Sequence, residues 1–268
     1  MTSEKNFEIY HKKIMKENNS SKSKYTQLFT SKKARELKQQ ICDIGKRLWL
    51  REYVDGNGGN ISCRFGDLFL CTPTGVSKGF LREEMICLVD IEGNQLAGKF
   101  RRTSEMKTHL SIYKTNPAAL AVTHAHPVHA TAFAIAGIEP PQCLIPEIEV
   151  LVGRVTVAPY ATPGSAEMSK IIGPLGKEYQ AILMGNHGLI CWGTSVEDSY
   201  FKIEITDAFC RTAIIASHIP GPKTQIPGKG MVELLNLKKG MNLPDARYGQ
   251  SAAQFDKHKP WNILDVRR

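Results

Sequence analysis

The sequence predicts one α/β domain with an extension at each end, and three observations support this class. With 268 residues, the chain is long enough to bury a sizeable core. Short apolar runs of strand length alternate with longer segments in which apolar residues recur at helical spacing. The composition changes to Gly, Pro, Lys and Asn after residue 218. We therefore divide the chain into an N-terminal extension (1–30), a central domain (31–218) and a C-terminal tail (219–268).

The pattern of the N-terminal extension predicts a short amphipathic helix on a flexible linker. Phe7, Tyr10 and Ile14 lie at positions i, i+3 and i+7, and a polar stretch follows over residues 18–24. Two interpretations are open: a tail without a role, or a helix that docks on a partner or on an enclosing assembly.

The first half of the central domain predicts two helices and three strands. In order, they are a helix over 31–54, strands over 60–64, 68–72 and 86–91, and a helix from Met106 to the residue before Asn116. The first helix is indicated by the spacing of Leu37, Ile41 and Ile44. Glycine turns bound the strands, and Pro117 stops the second helix.

The second half of the domain predicts four strands and three helices. The strands are expected over 120–124, 155–158, 181–184 and 189–192, and the helices over 127–136, 165–177 and 195–216. Pro127 suits the first helical position, where a missing N–H group does no harm. The tail has only Tyr248, Phe255 and Trp261 as large anchors, so we expect it to wrap over the domain or over a neighbouring subunit.

Charge and cysteine content restrict the class of protein. The chain has 35 Lys and Arg against 26 Asp and Glu, a formal net charge of +9. The basic residues are scattered without aromatic interleaving, so we expect an anionic small substrate rather than nucleic acid. The seven cysteines form no CxxC motif, which favours reduced thiols. With no signal-peptide pattern and no apolar run of about 18 residues, we expect a cytoplasmic protein without a membrane partner.

A His-x-His pair in an apolar run is the first candidate for a site. Side chains alternate along a strand, so His124 and His126 face the same way and their imidazoles can converge on one metal ion. His187, in a turn between two apolar runs, and the carboxylate of Glu105 complete a set that suits zinc or another borderline divalent metal. The alternative is ordinary histidines, like His129, which need only pack or face water.

Three segments offer donors for an anion. The Gly- and Asn-rich loop over 55–62 can turn several backbone N–H groups inward, although an ordinary hairpin turn has the same composition. The turn over 71–75 adds hydroxyl and backbone donors. Thr103 and Ser104 precede a helix, where they are expected as caps and where helix N-termini favour anions.

Six ordered motifs together resemble the class II aldolase/adducin family. They are Gly-Gly-Asn-Ile-Ser (58–62), Thr-Pro-Thr-Gly (72–75), Thr-Ser-Glu (103–105), His-Ala-His-Pro (124–127), Ala-Pro-Tyr-Ala-Thr-Pro-Gly (158–164) and Asn-His-Gly (186–188). The resemblance covers roughly residues 35–216 and is closest to the branch that cleaves L-fuculose 1-phosphate. Thr103 stands where that branch commonly has serine, and this chain is longer at both ends.

The resemblance implies a fold, an assembly and a set of roles. The fold is a three-layer α/β/α domain with a central, largely antiparallel sheet, and the assembly is a C4 homotetramer with active sites between subunits. The implied roles are metal binding by His124, His126 and His187, acid/base catalysis and metal coordination by Glu105, phosphate binding by Gly59, Asn60, Thr74, Gly75, Thr103 and Ser104, and transition-state assistance by Tyr160.

The implied activity is a zinc-dependent aldolase that cleaves a 1-phosphorylated deoxyketose to dihydroxyacetone phosphate and lactaldehyde. A Lewis-acid metal makes a lysine Schiff base unnecessary, and no buried lysine stands out as a candidate for one. Alternatives on the same scaffold are a methylthioribulose-1-phosphate dehydratase, a decarboxylase of keto-acid sugar phosphates and a 4-epimerase, whose pattern tends to have aspartate at the position of Glu105. A non-catalytic adducin-like module is a further alternative.

Overall fold

The computed structural model describes residues 24–221 and 223–257. The docking helix expected around Phe7, Tyr10 and Ile14 and the anchor Trp261 lie outside the described residues. Within the described ranges, every helix is too short or too polar to cross a lipid bilayer.

The central domain contains all the helices and strands that the sequence predicts. The strands are β1 (Asn60–Phe65), β2 (Leu68–Cys71), β3 (Cys87–Val89), β4 (Gln95–Ala97), β5 (Ala121–Ala125), β6 (Thr156–Ala158), β7 (Ala181–Met184) and β8 (Gly188–Gly193). The helices are α1 (Lys32–Leu50), α2 (Met106–Thr115), α3 (Val128–Ala136), α4 (Pro146–Leu151), α5 (Ala166–Glu178), α6 (Val196–His218), α7 (Gly228–Gly240) and α8 (Ala252–Phe255). Two 3-10 turns, Lys78–Phe80 and Glu83–Met85, lie between β2 and β3.

One eight-stranded sheet runs in the order β4-β3-β2-β1-β5-β8-β7-β6. All neighbouring strands are antiparallel except the pair β6 and β7, which is parallel. In the centre of the sheet, Asn60 on β1 is paired with His124 on β5, and His124 is paired with Ile190 on β8. The antiparallel sheet expected from the family resemblance is therefore confirmed.

Helices cover both faces of the sheet, because alternate strand residues enter two different apolar cores. Leu183 on β7 packs with α1, α3 and α6, whereas its neighbours Ile182 and Met184 pack with α2 and α5. Val122 on β5 shares the second core, so the face that it occupies lies under α2 and α5. The result is the three-layer α/β/α arrangement.

Serine caps fix the starts of three helices. The side chains of Ser31, Ser165 and Ser195 each accept a hydrogen bond from a backbone N–H group in the first turn of α1, α5 and α6. The first helix ends at Leu50, earlier than predicted, and Glu52 then adopts a left-handed backbone with φ of 58°. This turn directs the chain into the Gly- and Asn-rich loop.

The tail contains a helix that its sequence did not predict. Met231 and Leu235 of α7 are buried with Cys143 and Phe255, so the described part of the tail packs on the domain.

A buried ionic cluster also connects the tail to the domain. Its contacts are Lys238 Nζ to Asp245 Oδ2 at 2.9 Å, Arg247 Nη2 to Asp245 Oδ2 at 2.8 Å and Arg247 Nη1 to Glu149 Oε2 at 2.5 Å.

Asp245 makes this cluster sensitive to acid. Burial alone would raise the pKa of Asp245, but the hydrogen bonds and charge of Arg247, with the charge of Lys238, outweigh it and lower the pKa to about 2. The unfolded carboxyl group has a pKa of about 3.9. The stabilisation is therefore present above about pH 4 and is lost as the pH falls towards 2.

We expect Asp245→Asn to lower the free energy of unfolding by about 3 kcal/mol at pH 7, because it leaves Lys238 without a buried counter-charge. Urea unfolding followed by tryptophan fluorescence measures this, and the difference from wild type should shrink near pH 3. Glu92→Gln, which removes an exposed partner of Lys114, is the control and should change stability by less than about 0.5 kcal/mol. Equal losses in the two variants would contradict the structural role of the cluster.

Candidate active site

Two neighbouring strands bring the three candidate histidines together. His124 is the fourth residue of β5 and His126 follows the end of that strand. His187 lies in the turn between β7 and β8, and β8 is paired directly with β5. Asn186, just before it, has a left-handed backbone with φ of 57°, which allows the tight reversal. The third histidine therefore reaches the pair through sheet pairing and not through proximity in sequence.

The imidazole rings of His124, His126 and His187 are mutual neighbours. Their centroids are 4.6 to 5.2 Å apart, and one nitrogen from each ring falls within 4.8 Å of the other two. Nδ1 of His124 is hydrogen-bonded to the carbonyl of Leu189 at 3.0 Å, so its Nε2 faces the other rings. That Nε2 lies 3.0 Å from Nε2 of His126.

Glycines allow the rings to come this close to the backbone. A Cβ atom on Gly188 would lie 2.7 Å from Cδ2 of His126 and 3.2 Å from Cε1 of His124. A Cβ atom on Gly58 would lie 3.0 Å from Nδ1 of His126. These two glycines, which belong to different motifs, leave the space that the imidazoles occupy.

The electrostatics of the three imidazoles suit a cation. Burial lowers the pKa of His124 well below its usual range, and the charges of His126 and His187 lower it further. Burial also lowers the pKa of His187, with Glu105 opposing and His126 adding to the shift. Neutral rings keep lone pairs, and Nδ1 of His187 is buried without a hydrogen-bond partner among the described residues. The residues present therefore fit a divalent metal ion.

Glu105 joins this group from the start of α2. Its Oε1 atom accepts a hydrogen bond from Nδ2 of Asn60 at 2.9 Å and lies 3.8 Å from Nε2 of His124. The contact arises because Asn60 and His124 are register partners on the face that α2 covers. The carboxylate is held beside the imidazoles by Asn60, and this leaves its second oxygen for another proton or ligand.

The predicted caps of α2 are partly wrong. Glu105 itself occupies the N-cap position, and no side chain caps the helix. The hydroxyl group of Thr103 instead accepts a hydrogen bond from the backbone N–H of Glu105 at 3.3 Å, and Ser104 is exposed. The backbone turns at Glu105 so that its side chain enters the site and the serine faces outward.

The three predicted anion-binding segments adjoin one another. The N–H group of Thr103 donates to the carbonyl of Thr72 at 3.0 Å, and the N–H group of Thr74 donates to the carbonyl of Arg101 at 2.9 Å. Because the N–H group of Thr74 is used in this bond, its hydroxyl group is the donor that Thr74 can offer to a ligand. Gly75 is exposed and has a left-handed φ of 72°.

The Gly- and Asn-rich loop meets the histidine strand at Gly59. A Cβ atom on this residue would lie 2.8 Å from the carbonyl oxygen of His124, and its φ is 69°. Asn60, which follows, is buried. The loop that the sequence predicts to bind an anion is therefore in direct contact with β5, the strand that carries His124.

Tyr160 and His129 are not members of the imidazole cluster. Tyr160 follows β6, its side chain is 59% exposed, and its hydroxyl group has no hydrogen-bond partner among the residues described. Its assignment stays a prediction. His129 is bound by its Nδ1 atom to Oδ2 of Asp207 at 3.1 Å and lies outside the imidazole group. The structure thus brings together the three histidines chosen from the sequence and leaves His129 out, and their role as metal ligands stays a prediction.

Two buried residues near the site were missed. Lys78 is only 1% exposed, and the sequence had not singled out any buried lysine as a candidate. His109 is fully buried and its Nδ1 atom lies 2.7 Å from Oγ of Ser62, and burial lowers the pKa of His109 to about 3. The sequence contained a signal for His109, because it lies one helical turn after Glu105 and residues at this spacing share a helix face. No comparable local signal marks Lys78.

Comparison with known proteins gives a consistent result. Residues 39–214 match the model of the class II aldolase and adducin N-terminal domain. An L-fuculose phosphate aldolase of Methanococcus maripaludis is 34% identical over 180 residues, which cover 67% of this chain and 97% of that protein. A 3-oxo-tetronate 4-phosphate decarboxylase of Cupriavidus necator is 28% identical over 205 residues, covering 74% and 94%. A solved L-fuculose 1-phosphate aldolase superposes with a TM-score of 0.71 at 26% identity, covering 76% and 96%.

Loss of a residue that hydrogen-bonds to a metal ligand typically weakens metal affinity roughly 10–100-fold. We expect His187→Ala, which removes a candidate ligand itself, to weaken metal affinity by more than this. Competition with a chromophoric chelator measures the affinity for zinc. His129→Ala is the control, because its imidazole is bound to Asp207 and not to the cluster. Equal losses of zinc affinity in both variants would mean that the wrong histidines were assigned.

Proposed function

The chain belongs to the class II aldolase and adducin family, and on that basis we propose that it is a metal-dependent lyase of phosphorylated sugars. Its reaction is cleavage of a 1-phosphorylated deoxyketose of the L-fuculose 1-phosphate type to dihydroxyacetone phosphate and lactaldehyde. The observation that carries the proposal is the meeting of three imidazoles and a carboxylate beside segments rich in anion donors.

His124, His126 and His187 hold the metal, and Glu105 coordinates it when substrate is absent. Zinc suits three imidazole ligands with a position left for substrate, and other divalent metals are compatible with the same set. The bound metal supplies Lewis-acid stabilisation of the negative charge that carbon–carbon cleavage leaves beside a carbonyl group.

Glu105 moves the proton at the carbon that carries this charge. The hydrogen bond from Asn60 fixes the direction of its carboxylate, so that one oxygen is held and the other faces the substrate. The side chain is 13% exposed, which limits competition from water. Tyr160 donates to the aldehyde oxygen or positions it, and its exposed side chain is free to move to a bound substrate.

The phosphate group of the substrate binds away from the broken bond. Its ligands are Gly59, Asn60, Thr74, Gly75, Thr103 and Ser104, which the adjoining loops carry. This remote binding holds the reacting carbon at the metal and Glu105, so that binding free energy contributes to catalysis. The working assembly is a C4 homotetramer. For the N-terminal extension the two interpretations given above stay open, a tail without a role or a segment that docks on a partner or on an enclosing assembly.

A decarboxylase is the second candidate, because a relative with that name covers 74% of the chain. Loss of carbon dioxide from a 3-keto acid also leaves negative charge beside a carbonyl group, and the same metal site and anion loops serve it. The two reactions differ only in the fragment released, an aldehyde or carbon dioxide.

A panel of phosphorylated ketoses and phosphorylated 3-keto acids distinguishes the candidates. The metal-loaded protein should release dihydroxyacetone phosphate from L-fuculose 1-phosphate or a close relative, measured by a coupled glycerol-phosphate dehydrogenase assay. Release of carbon dioxide from a 3-keto acid, with no turnover of the ketoses, would replace the aldolase with the decarboxylase. No reaction with any member of the panel, after zinc is added, would favour a non-catalytic module.

We expect Glu105→Gln to lower kcat by about 10²–10⁴-fold while zinc content and the unfolding midpoint stay at wild-type values, because the amide keeps the shape of the side chain but cannot accept a proton. Turnover and metal analysis are measured on the same preparation. Glu36→Gln, on the exposed face of α1, is the control and should leave kcat unchanged. Near-normal turnover of the Glu105 variant would remove this residue from the mechanism.

A further inference from the structure

Lys78 is a buried cation without an acidic partner. It is 1% exposed, and no carboxylate lies within 4.0 Å of its Nζ atom in the part of the chain that the structure describes. Among the other buried lysines of the described residues, Lys202 is paired with Asp198 and Lys238 with Asp245. Lys38 has no acidic partner but lies over the aromatic ring of Phe29, 3.2 Å from its centroid. Burying an ammonium group without a counter-charge is costly, so the position of Lys78 calls for a compensating role.

Helix α1 holds the backbone around Lys78 in place. A Cβ atom on Gly45 would lie 2.5 Å from the carbonyl oxygen of Lys78, so the 3-10 turn presses directly on the helix backbone. Gly79 packs in the same way on the ring of Trp49, where a Cβ atom would meet Cγ at 2.5 Å. With its backbone fixed on the α1 side, the side chain of Lys78 extends into the protein.

The ammonium group joins two of the predicted anion-binding segments. It donates to the carbonyl of Asn57 at 2.8 Å and to the carbonyl of Val76 at 2.6 Å. Asn57 belongs to the Gly- and Asn-rich loop, and Val76 directly follows the turn with Thr74 and Gly75. These carbonyl dipoles satisfy two N–H donors of the ammonium group but leave its full charge and third donor uncompensated.

The charge of Lys78 interacts with charged groups of the candidate active site. Burial lowers the pKa of Lys78 to about 8, and the negative charge of Glu105 partly opposes this shift. The same positive charge contributes to lowering the pKa of His124. Its field therefore spans the space between the anion-binding loops and the metal-binding histidines, where a phosphate group would supply the missing negative charge.

We propose that Lys78 is a positioning residue of the phosphate pocket, which joins its two loops and provides the positive charge that selects a dianionic phosphate group. The inference rests on the proposed sugar-phosphate function and adds to it a cationic residue. The six residues assigned to phosphate binding are all uncharged, so without Lys78 the pocket would have neutral donors only.

Two variants separate the charge of Lys78 from its hydrogen bonds. Lys78→Gln keeps N–H donors for the two carbonyl groups but removes the charge, and Lys78→Arg keeps the charge. Lys202→Gln is the matched control, since Lys202 is also buried but its partner Asp198 packs against Gly193, at the end of β8 remote from His187.

Calorimetric titration of each metal-loaded protein with inorganic phosphate at pH 7 is the test. We expect Lys78→Gln to weaken phosphate binding at least about tenfold, Lys78→Arg to change it less than about threefold and Lys202→Gln to leave it unchanged. Zinc content and the unfolding midpoint, measured in parallel, confirm that each variant is folded. With an active substrate, Lys78→Gln should also reduce the preference for the phosphorylated over the unphosphorylated sugar.

Each contrary outcome has a distinct meaning. Wild-type phosphate affinity in folded Lys78→Gln would overturn the inference alone. Equal weakening of phosphate binding in Lys78→Gln and Lys78→Arg would mean that Lys78 acts only by joining the two loops. That outcome would overturn the role of its charge. Failure of the wild-type protein to bind phosphate would overturn the sugar-phosphate function together with the inference. A substrate adduct on Lys78 after borohydride reduction would identify it as a nucleophile and contradict the positioning role.

Discussion

The candidate site depends on the antiparallel pairing of β1, β5 and β8 in the centre of the sheet. This pairing sets Asn60 opposite His124 and His124 opposite Ile190, and it carries the turn with His187 to the end of β5. Because side chains alternate along a strand, a shift of one residue would move His124 to the other face of the sheet and away from Glu105 at the start of α2. The register therefore determines whether the imidazoles and the carboxylate meet.

Electrostatics is the second constraint on the site. Burial lowers the pKa of His124 and of His187, and Lys78 is buried without an acidic partner among the described residues. The carboxylates of Glu105 and Asp55 lie 3.8 Å and 3.6 Å from nitrogens of this imidazole group. Burying His124, His187 and Lys78 is costly in the protein alone, and under the proposed function a cation on the imidazoles and an anion near Lys78 would offset that cost.

The tail shows how the same principle works in a structural role. Its buried ionic cluster contains Lys238 and Arg247 balanced by Asp245 and Glu149, each within hydrogen-bond distance of an opposite charge. This cluster is complete without a ligand, and it holds α7 against the domain. Lys78 differs from the residues of this cluster in that its partners among the described residues are carbonyl groups.

The sequence by itself determined the helices and strands of the central domain and the shared face of His124 and His126, because these follow from local periodicity and from glycine and proline positions. Through family motifs it also indicated the layered antiparallel sheet and the third histidine. Only the tertiary structure decided the burial of Lys78, the position of Glu105 at the N-cap of α2 and the packing of α7. Each of these depends on contacts between residues far apart in sequence, and no local pattern reports such contacts.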